Sequence, residues 1–188
     1  MTKLRAVTSA AHGRLAMGRT LALLSAVAGV LALTAQGPVS VPTATRGPWC
    51  TKIPFPRAGC RALVVRTPRA TLHLAVAATN AQRERGLMNV RYVPFAQGMI
   101  FAFPGGDELR GFWMKDTVTP LDMVFVQGDG TITAVAANVP ATPPNTPDDK
   151  VARRQAVGRY VIELGAGQAA QLGLLPGSVL TIPPVEAR

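Results

Sequence analysis

The stretch from Gln97 to Val126, QGMIFAFPGGDELRGFWMKDTVTPLDMVFV, constrains the fold more than any other part of the chain. Its apolar residues fall in three short alternating blocks, Met99/Phe101/Phe103, Phe112/Met114 and Met123/Phe125. Pro104-Gly105-Gly106 separates the first two, and a turn from Thr117 to Leu121 around Pro120 separates the last two. Period-two alternation broken by turn residues predicts strand, turn, strand, turn, strand. A polar set, Lys115, Asp116 and Asp122, lies among these blocks beside Trp113, where the chain otherwise buries apolar surface. A function written into the sequence is expected there.

Further strands are predicted on both sides of this centre. Ala62 to Arg66 is one, and Thr71 to Ala77 is another, where Leu72, Leu74 and Val76 alternate with His73 and Ala75. Thr79 or Asn80 is the expected N-cap of a short helix that ends near Gly86. The Gly128-Asp129-Gly130 turn makes Thr131 to Ala137 a hairpin partner of Met123 to Gln127. Residues 138–156, rich in proline and in both signs of charge, read as a long exposed loop. Tyr160 to Leu164 resumes a strand, Gly167 to Leu172 forms a second short helix, and Pro176-Gly177 turns the chain into a last strand. The expected class is mainly β: a compact antiparallel sandwich or partly open barrel with two short helices, formed by residues 61–184 as one domain.

Ahead of that domain, Lys3, Arg5, Arg14 and Arg19 precede an apolar run from Leu21 to Ala35. A helical membrane span needs about 20 apolar residues, so this shorter run predicts a signal peptide over residues 1–35. The protein is then expected to be exported, periplasmic or extracellular, without a transmembrane segment after cleavage. The alternative is a retained N-terminal anchor in the inner membrane. Residues 36–60 read as a Pro/Gly-rich linker holding Cys50 and Cys60. In an exported chain that pair predicts a disulfide, the other reading being two idle thiols.

The net charge of +10 is unevenly spread. Ten of the 20 basic residues precede Ala70 and no acid does, while the ten that follow are balanced by all ten acids. A basic arm without interleaved aromatic residues is a poor nucleic-acid signature. It suits an anionic envelope surface or an envelope protein partner better.

Several chemistries are closed by inventory. After the linker there is one serine, Ser178, in a Pro-Gly turn, and one histidine, His73, in an alternating strand. A Ser-His or Cys-His site needs a nucleophile and base that meet, and a zinc site needs three or four ligands. No phosphate-binding glycine loop follows a strand, and no cofactor is expected. Carboxylate chemistry or simple binding stays open. Alternation places Trp113 and Lys115 on one strand face, opposite Phe112 and Met114. An indole beside an ammonium and a carboxylate can orient a sugar or small polar ligand. The competing reading is structural: Lys115 pairs with Asp122 or Glu163, and Trp113 packs. On either reading Lys115 and Asp122 are expected close together, with Glu163 near them and Trp113 flanking the gap, because the strands joined by the short Asp116 to Leu121 connection are expected to pair as neighbours. A third makes Asp116 and Asp122 an acid/base couple for glycan hydrolysis.

These segments together resemble domain of unknown function family 192. The resemblance is carried by Arg83 with Gly86-Leu87-Met88, Gly98-Met99-Ile100-Phe101, Phe112 to Thr117, and Pro120-Leu121-Asp122. Gly130 with Ile132, Val161 to Leu164, Gly167, Leu172-Gly173 and Pro176-Gly177 continue it, across roughly residues 70–182. It implies a small, jelly-roll-like β domain, often exported, with no established activity. Three positions depart from the family pattern: Val90 then Arg91 where an arginine is usual one residue earlier, Gln82 where an acid is usual, and Asp116 within Lys115-Asp116-Thr117 where asparagine is usual. The expectation is a non-catalytic binding domain for a small polar or carbohydrate-like envelope ligand, with Trp113, Lys115, Asp122, Glu163 and Arg83 as ligand-binding residues. No catalytic residue and no metal ligand is expected. A protein-docking module using the basic arm is the first alternative and a carboxylate-dependent glycan hydrolase the second.

Overall fold

The structure, a computed structural model, describes residues 62–188. The expected signal segment, the linker and the Cys50–Cys60 pair lie outside the described residues. Among the described residues the fold is mainly β, with eight strands in two sheets and two short helices.

The first strand, β1 (Ala62–Arg66), forms a hairpin with β2 (Thr71–Ala77). Helix α1 (Asn80–Arg85) then carries the chain over to β3 (Gln97–Ala102), which runs parallel to β2. Thr79 caps α1, its side chain accepting from the Gln82 amide while the Gln82 side chain accepts from the Thr79 amide. This reciprocal box satisfies two otherwise orphaned donors and sets where the helix starts. The chain next leaves the sheet as β4 (Glu108–Trp113), re-enters as β5 (Leu121–Val126), and turns back as β6 (Ile132–Val139). After a 3₁₀ turn at Asp148–Lys150 come β7 (Arg153–Gly158), β8 (Tyr160–Gly165) and helix α2 (Gln168–Gln171).

The larger sheet has the order β1-β2-β3-β8-β5-β6, antiparallel except for β2 and β3. The smaller sheet is a β4–β7 ribbon. Arg66 bridges Thr181 at one edge of the large sheet and Thr131 bridges Val179 at the other. These are isolated bridges rather than ladders, so the sheet is not closed into a barrel.

Both faces of the large sheet are covered, which explains why β5 and β8 are buried at every position. Ile100, Val124, Ile162 and Leu164 point to one face, where α2 and the C-terminal segment contribute Ala169, Leu172, Leu180 and Val185. Met99, Phe101, Met123, Phe125 and Val161 point to the other, joined by Leu87, Val90, Val93 and Met114. The ribbon packs on this second face. Phe112 meets Phe101 edge-on at 4.9 Å and Phe125 at 6.1 Å between ring centroids. Such T-shaped contacts add to area burial because the positive ring edge meets the negative ring face.

Three expectations are corrected here. The segment 138–156 is not wholly a loop: β6 runs on to Val139 and β7 begins at Arg153. The last expected strand is reduced to the two bridges. The strands flanking Pro120 are not neighbours, because β4 pairs only with β7 while β5 pairs with β6 and β8.

Candidate functional site

Where α1 and the following turn approach the ribbon, the second face of the large sheet carries a cavity of about 230 Å³. Its apolar wall comes from Leu87, Met88, Phe101, Phe103, Phe112 and Trp113. Its polar lining includes Arg83, Glu84, Arg85, Lys115, Thr117 and Glu163. Local sequence explains this assembly. Gly86 ends α1 at φ 45° and lies so close to the Phe101 ring that a Cβ would stand 3.2 Å from it. The helix therefore turns down over the rings instead of away from them.

Glu163 is the chemical centre of the cavity. Strand β8 runs between β3 and β5, and its register sets Glu163 beside Met99 on one side and Met123 on the other. The residue is 5% exposed and its Oε2 has no hydrogen-bond partner. Burial without a counter-charge disfavours the ionised form and pushes its pKa up to about 8. Gln97 Oε1 and Arg159 Nε are also buried without partners, but neither lines this cavity. At neutral pH the Glu163 carboxyl is chiefly protonated, and so can donate a hydrogen bond as well as accept one.

The surrounding cations are engaged elsewhere. Arg83 donates to the carbonyls of Ala78 and Ala102, at 2.9 and 2.8 Å, and to that of Arg188 at 3.0 Å. It also bonds Asn80 and lies 5.2 Å from the Phe103 ring centroid. Burial, then the nearby Arg110, lowers its pKa from the ordinary arginine value. Lys115 bonds the Asp148 carboxylate, which raises the lysine pKa and lowers the aspartate pKa. Trp113 is 39% exposed, lines the cavity, and has the Arg153 guanidinium 5.1 Å over its ring.

Four of the five residues expected from sequence, Arg83, Trp113, Lys115 and Glu163, line one cavity. Asp122 does not. It stands opposite Leu164 in the β5–β8 ladder, on the first face of the sheet, and is 0% exposed. Its carboxylate accepts from the backbone amides of Asn138 (2.8 Å), Gly167 (3.0 Å) and Ala169 (2.8 Å). It thereby fixes an irregularity in the β5–β6 ladder and caps α2 from a distance. The expected Lys115–Asp122 pair does not form, because the two side chains belong to opposite faces. Asp122 is also closed to solvent, its carboxylate oxygens taken up by those backbone amides.

Sequence reasoning missed the aromatic wall as a wall. Phe101, Phe103 and Phe112 read as core, and only the ribbon's position turns them towards a cavity. Asp148 was also missed, since it sits in a proline-rich segment with no period of its own. Among the described residues no group of three or more His, Cys, Asp or Glu side chains is arranged to hold a metal. No described helix is long and apolar enough to cross a membrane.

No curated protein matches the chain. Two solved structures do. One is a protein of Sinorhizobium meliloti 1021, provisionally described as a transcription regulator, at 33% identity and a TM-score of 0.53, over 64% of this chain and 92% of that one. The other is a protein of unknown function from Novosphingobium aromaticivorans DSM 12444, at 28% identity and a TM-score of 0.52, over 67% of this chain and 89% of that one. The profile of domain of unknown function family 192, described as "Uncharacterized ACR", matches residues 63–182, and the chain belongs to that family.

Proposed function

We propose that this protein is a non-catalytic binding domain whose ligand is a small polar molecule with an apolar body, held in the cavity beneath α1. The observation that carries this reading is Glu163: a carboxyl buried at a cavity wall, with one oxygen unpartnered. An unsatisfied buried polar atom costs about 1–3 kcal/mol. A ligand hydrogen-bonded to it recovers that cost, whereas packing alone gives no reason to keep it. The cavity is smaller than the roughly 300–1,000 Å³ of drug-sized sites, which favours a single ring or short chain over a polymer segment. The signal-like N-terminal segment supports an envelope setting. The transcription-regulator description belongs to the relative from Sinorhizobium meliloti; residues 62–188 of this chain carry twelve basic and ten acidic side chains, a near balance rather than the strong positive excess of a nucleic-acid-binding domain.

A thermal-shift panel of cell-wall fragments, free sugars, organic acids and amines tests the reading. The expected result is at least one compound that raises the melting midpoint of the wild type but not of Trp113→Ala. Silence across the panel, or shifts that survive Trp113→Ala unchanged, would contradict it.

A further inference from the structure

The cavity's chemistry narrows the ligand class, an inference that rests on the binding reading above. We propose that the ligand is a small monocarboxylate with a ring or short apolar body, its carboxylate held between the Glu163 carboxyl and the Lys115 ammonium.

Three observations converge on this. First, Glu163 has no counter-ion among the described residues. The Arg83 guanidinium is committed to three backbone carbonyls and Asn80, and the Lys115 ammonium to Asp148. The strands on either side present only Met99 and Met123 beside it. A carboxyl in such surroundings is neutral and offers an O–H, and the strongest acceptor for a buried O–H is an anionic oxygen.

Second, the charged side chains facing the same cavity favour an anion. Arg83, Arg85 and Lys115 approach it from α1 and from the end of β4, against a single further acid, Glu84. Lys115 is held only by the exposed carboxylate of Asp148, an ion pair weakened by solvent that an incoming carboxylate can replace.

Third, the aromatic wall is poorly suited to a cationic ligand. Phe103, one ring of that wall, already carries the guanidinium groups of Arg83 and Arg110, at 5.2 and 4.5 Å. An amine entering here would meet the Arg83 guanidinium, which lines the cavity and already lies over that ring. The apolar body of an acid meets no such opposition, since Leu87, Met88, Phe101 and Phe112 supply uncharged surface.

The test is calorimetric titration of the full-length protein with phenylacetate, 2-phenylethanol and phenethylamine, at pH 6 and pH 9. The three probes share one ring and differ in charge. Phenylacetate is ionised and Lys115 protonated at both pH values, so Glu163 is the cavity group that changes state between them. The expected order is phenylacetate tightest, with its affinity falling about tenfold from pH 6 to pH 9 as Glu163 ionises. Glu163→Gln retains an N–H donor of the same shape and keeps phenylacetate binding but loses the pH dependence. Lys115→Met weakens phenylacetate about tenfold at both pH values without altering 2-phenylethanol. Circular dichroism of each variant establishes that it is folded. Tighter binding of 2-phenylethanol or phenethylamine, or phenylacetate binding independent of pH in the wild type, overturns the carboxylate assignment and leaves the cavity reading standing. Absence of binding by all three overturns the assignment too, and the thermal-shift panel then decides separately whether the cavity reading survives.

Discussion

Asp122 and Glu163 sit one step apart across the β5–β8 ladder, Asp122 opposite Leu164 and Glu163 opposite Met123, so that one sheet carries two buried acids on opposite faces. Their environments are as different as their directions. Asp122 accepts from three backbone amides. Glu163 keeps an oxygen with no partner and borders a cavity. A fully satisfied acid organises the fold, and an unsatisfied one at a cavity is available to a ligand.

The first prediction follows from Asp122. Asp122→Ala leaves three amides without their acceptor, and each buried unsatisfied donor is costly. Urea unfolding should show a loss of about 3 kcal/mol or more, because α2 loses its cap and the β5–β6 irregularity its tie. A loss under about 1 kcal/mol would mean that water replaces the carboxylate freely.

Glu163 gives a prediction with a defined pH window. Its folded pKa, about 8, lies above the ordinary value of 4.5. The native state therefore holds the proton more tightly than the unfolded chain. The stabilisation is complete below about pH 4.5, declines as pH rises, and is gone above about pH 8. The slope within that window is at most about 1.4 kcal/mol per pH unit. Glu163→Gln has no such proton to lose, so its stability relative to wild type should rise from pH 4.5 to pH 8 and then level off. Parallel stability curves for the two proteins would contradict the burial of an unpaired carboxyl.

Gly98 holds the strand beneath the cavity in place. A Cβ at this position would lie 2.0 Å from the Glu163 carbonyl oxygen, so the close approach of β3 to β8 requires glycine. Gly98→Ala should cost about 2 to 4 kcal/mol. It should also disturb ligand responses, because it displaces the strand segment that carries Glu163. Retained stability together with retained binding would show that the two strands can separate without consequence.

Lys115 behaves differently from both acids. Its bond to Asp148 is exposed to solvent, and the lysine pKa is raised chiefly by that hydrogen bond. Lys115→Met should leave the melting midpoint of the free protein nearly unchanged while reducing a ligand response, as should Asp148→Asn for stability alone. A large fall in the midpoint of Lys115→Met would assign the lysine a structural task.

Much of this architecture is legible in the sequence, for reasons that also explain what is not. Leu72, Leu74 and Val76 alternate with His73 and Ala75, and Gly98 to Phe103 is a short apolar run bounded by Gln97 and the turn at Pro104, because a strand writes either its period or its burial on both faces into the chain. The N-cap, expected at Thr79 or Asn80 and found at Thr79, is likewise local chemistry, although the reciprocal bond from Gln82 was not read from the sequence. Strand β7 is silent because Arg153, Arg154 and Gln155 are exposed and leave no apolar period to read. The cavity is legible only in part. Trp113 and Lys115 line one cavity, but Phe112 lines it with them and Lys115 lies beyond the end of β4, so strand alternation does not account for their meeting. The pairing partner of β4 is 40 or more residues away and carries no local signal. Asp122 was expected beside Lys115 because a short connection usually joins neighbouring strands. Here that connection joins two sheets, and the aspartate turns to the far face.

The most direct test of the central claim is a carbon-13 titration of the Glu163 side-chain carboxyl, assigned by its disappearance in Glu163→Gln. The free protein should show this carbon titrating near pH 8, with its midpoint displaced when a compound from the thermal-shift panel is added. A Glu163 carboxyl that titrates in the ordinary glutamate range and ignores every bound compound would contradict the account.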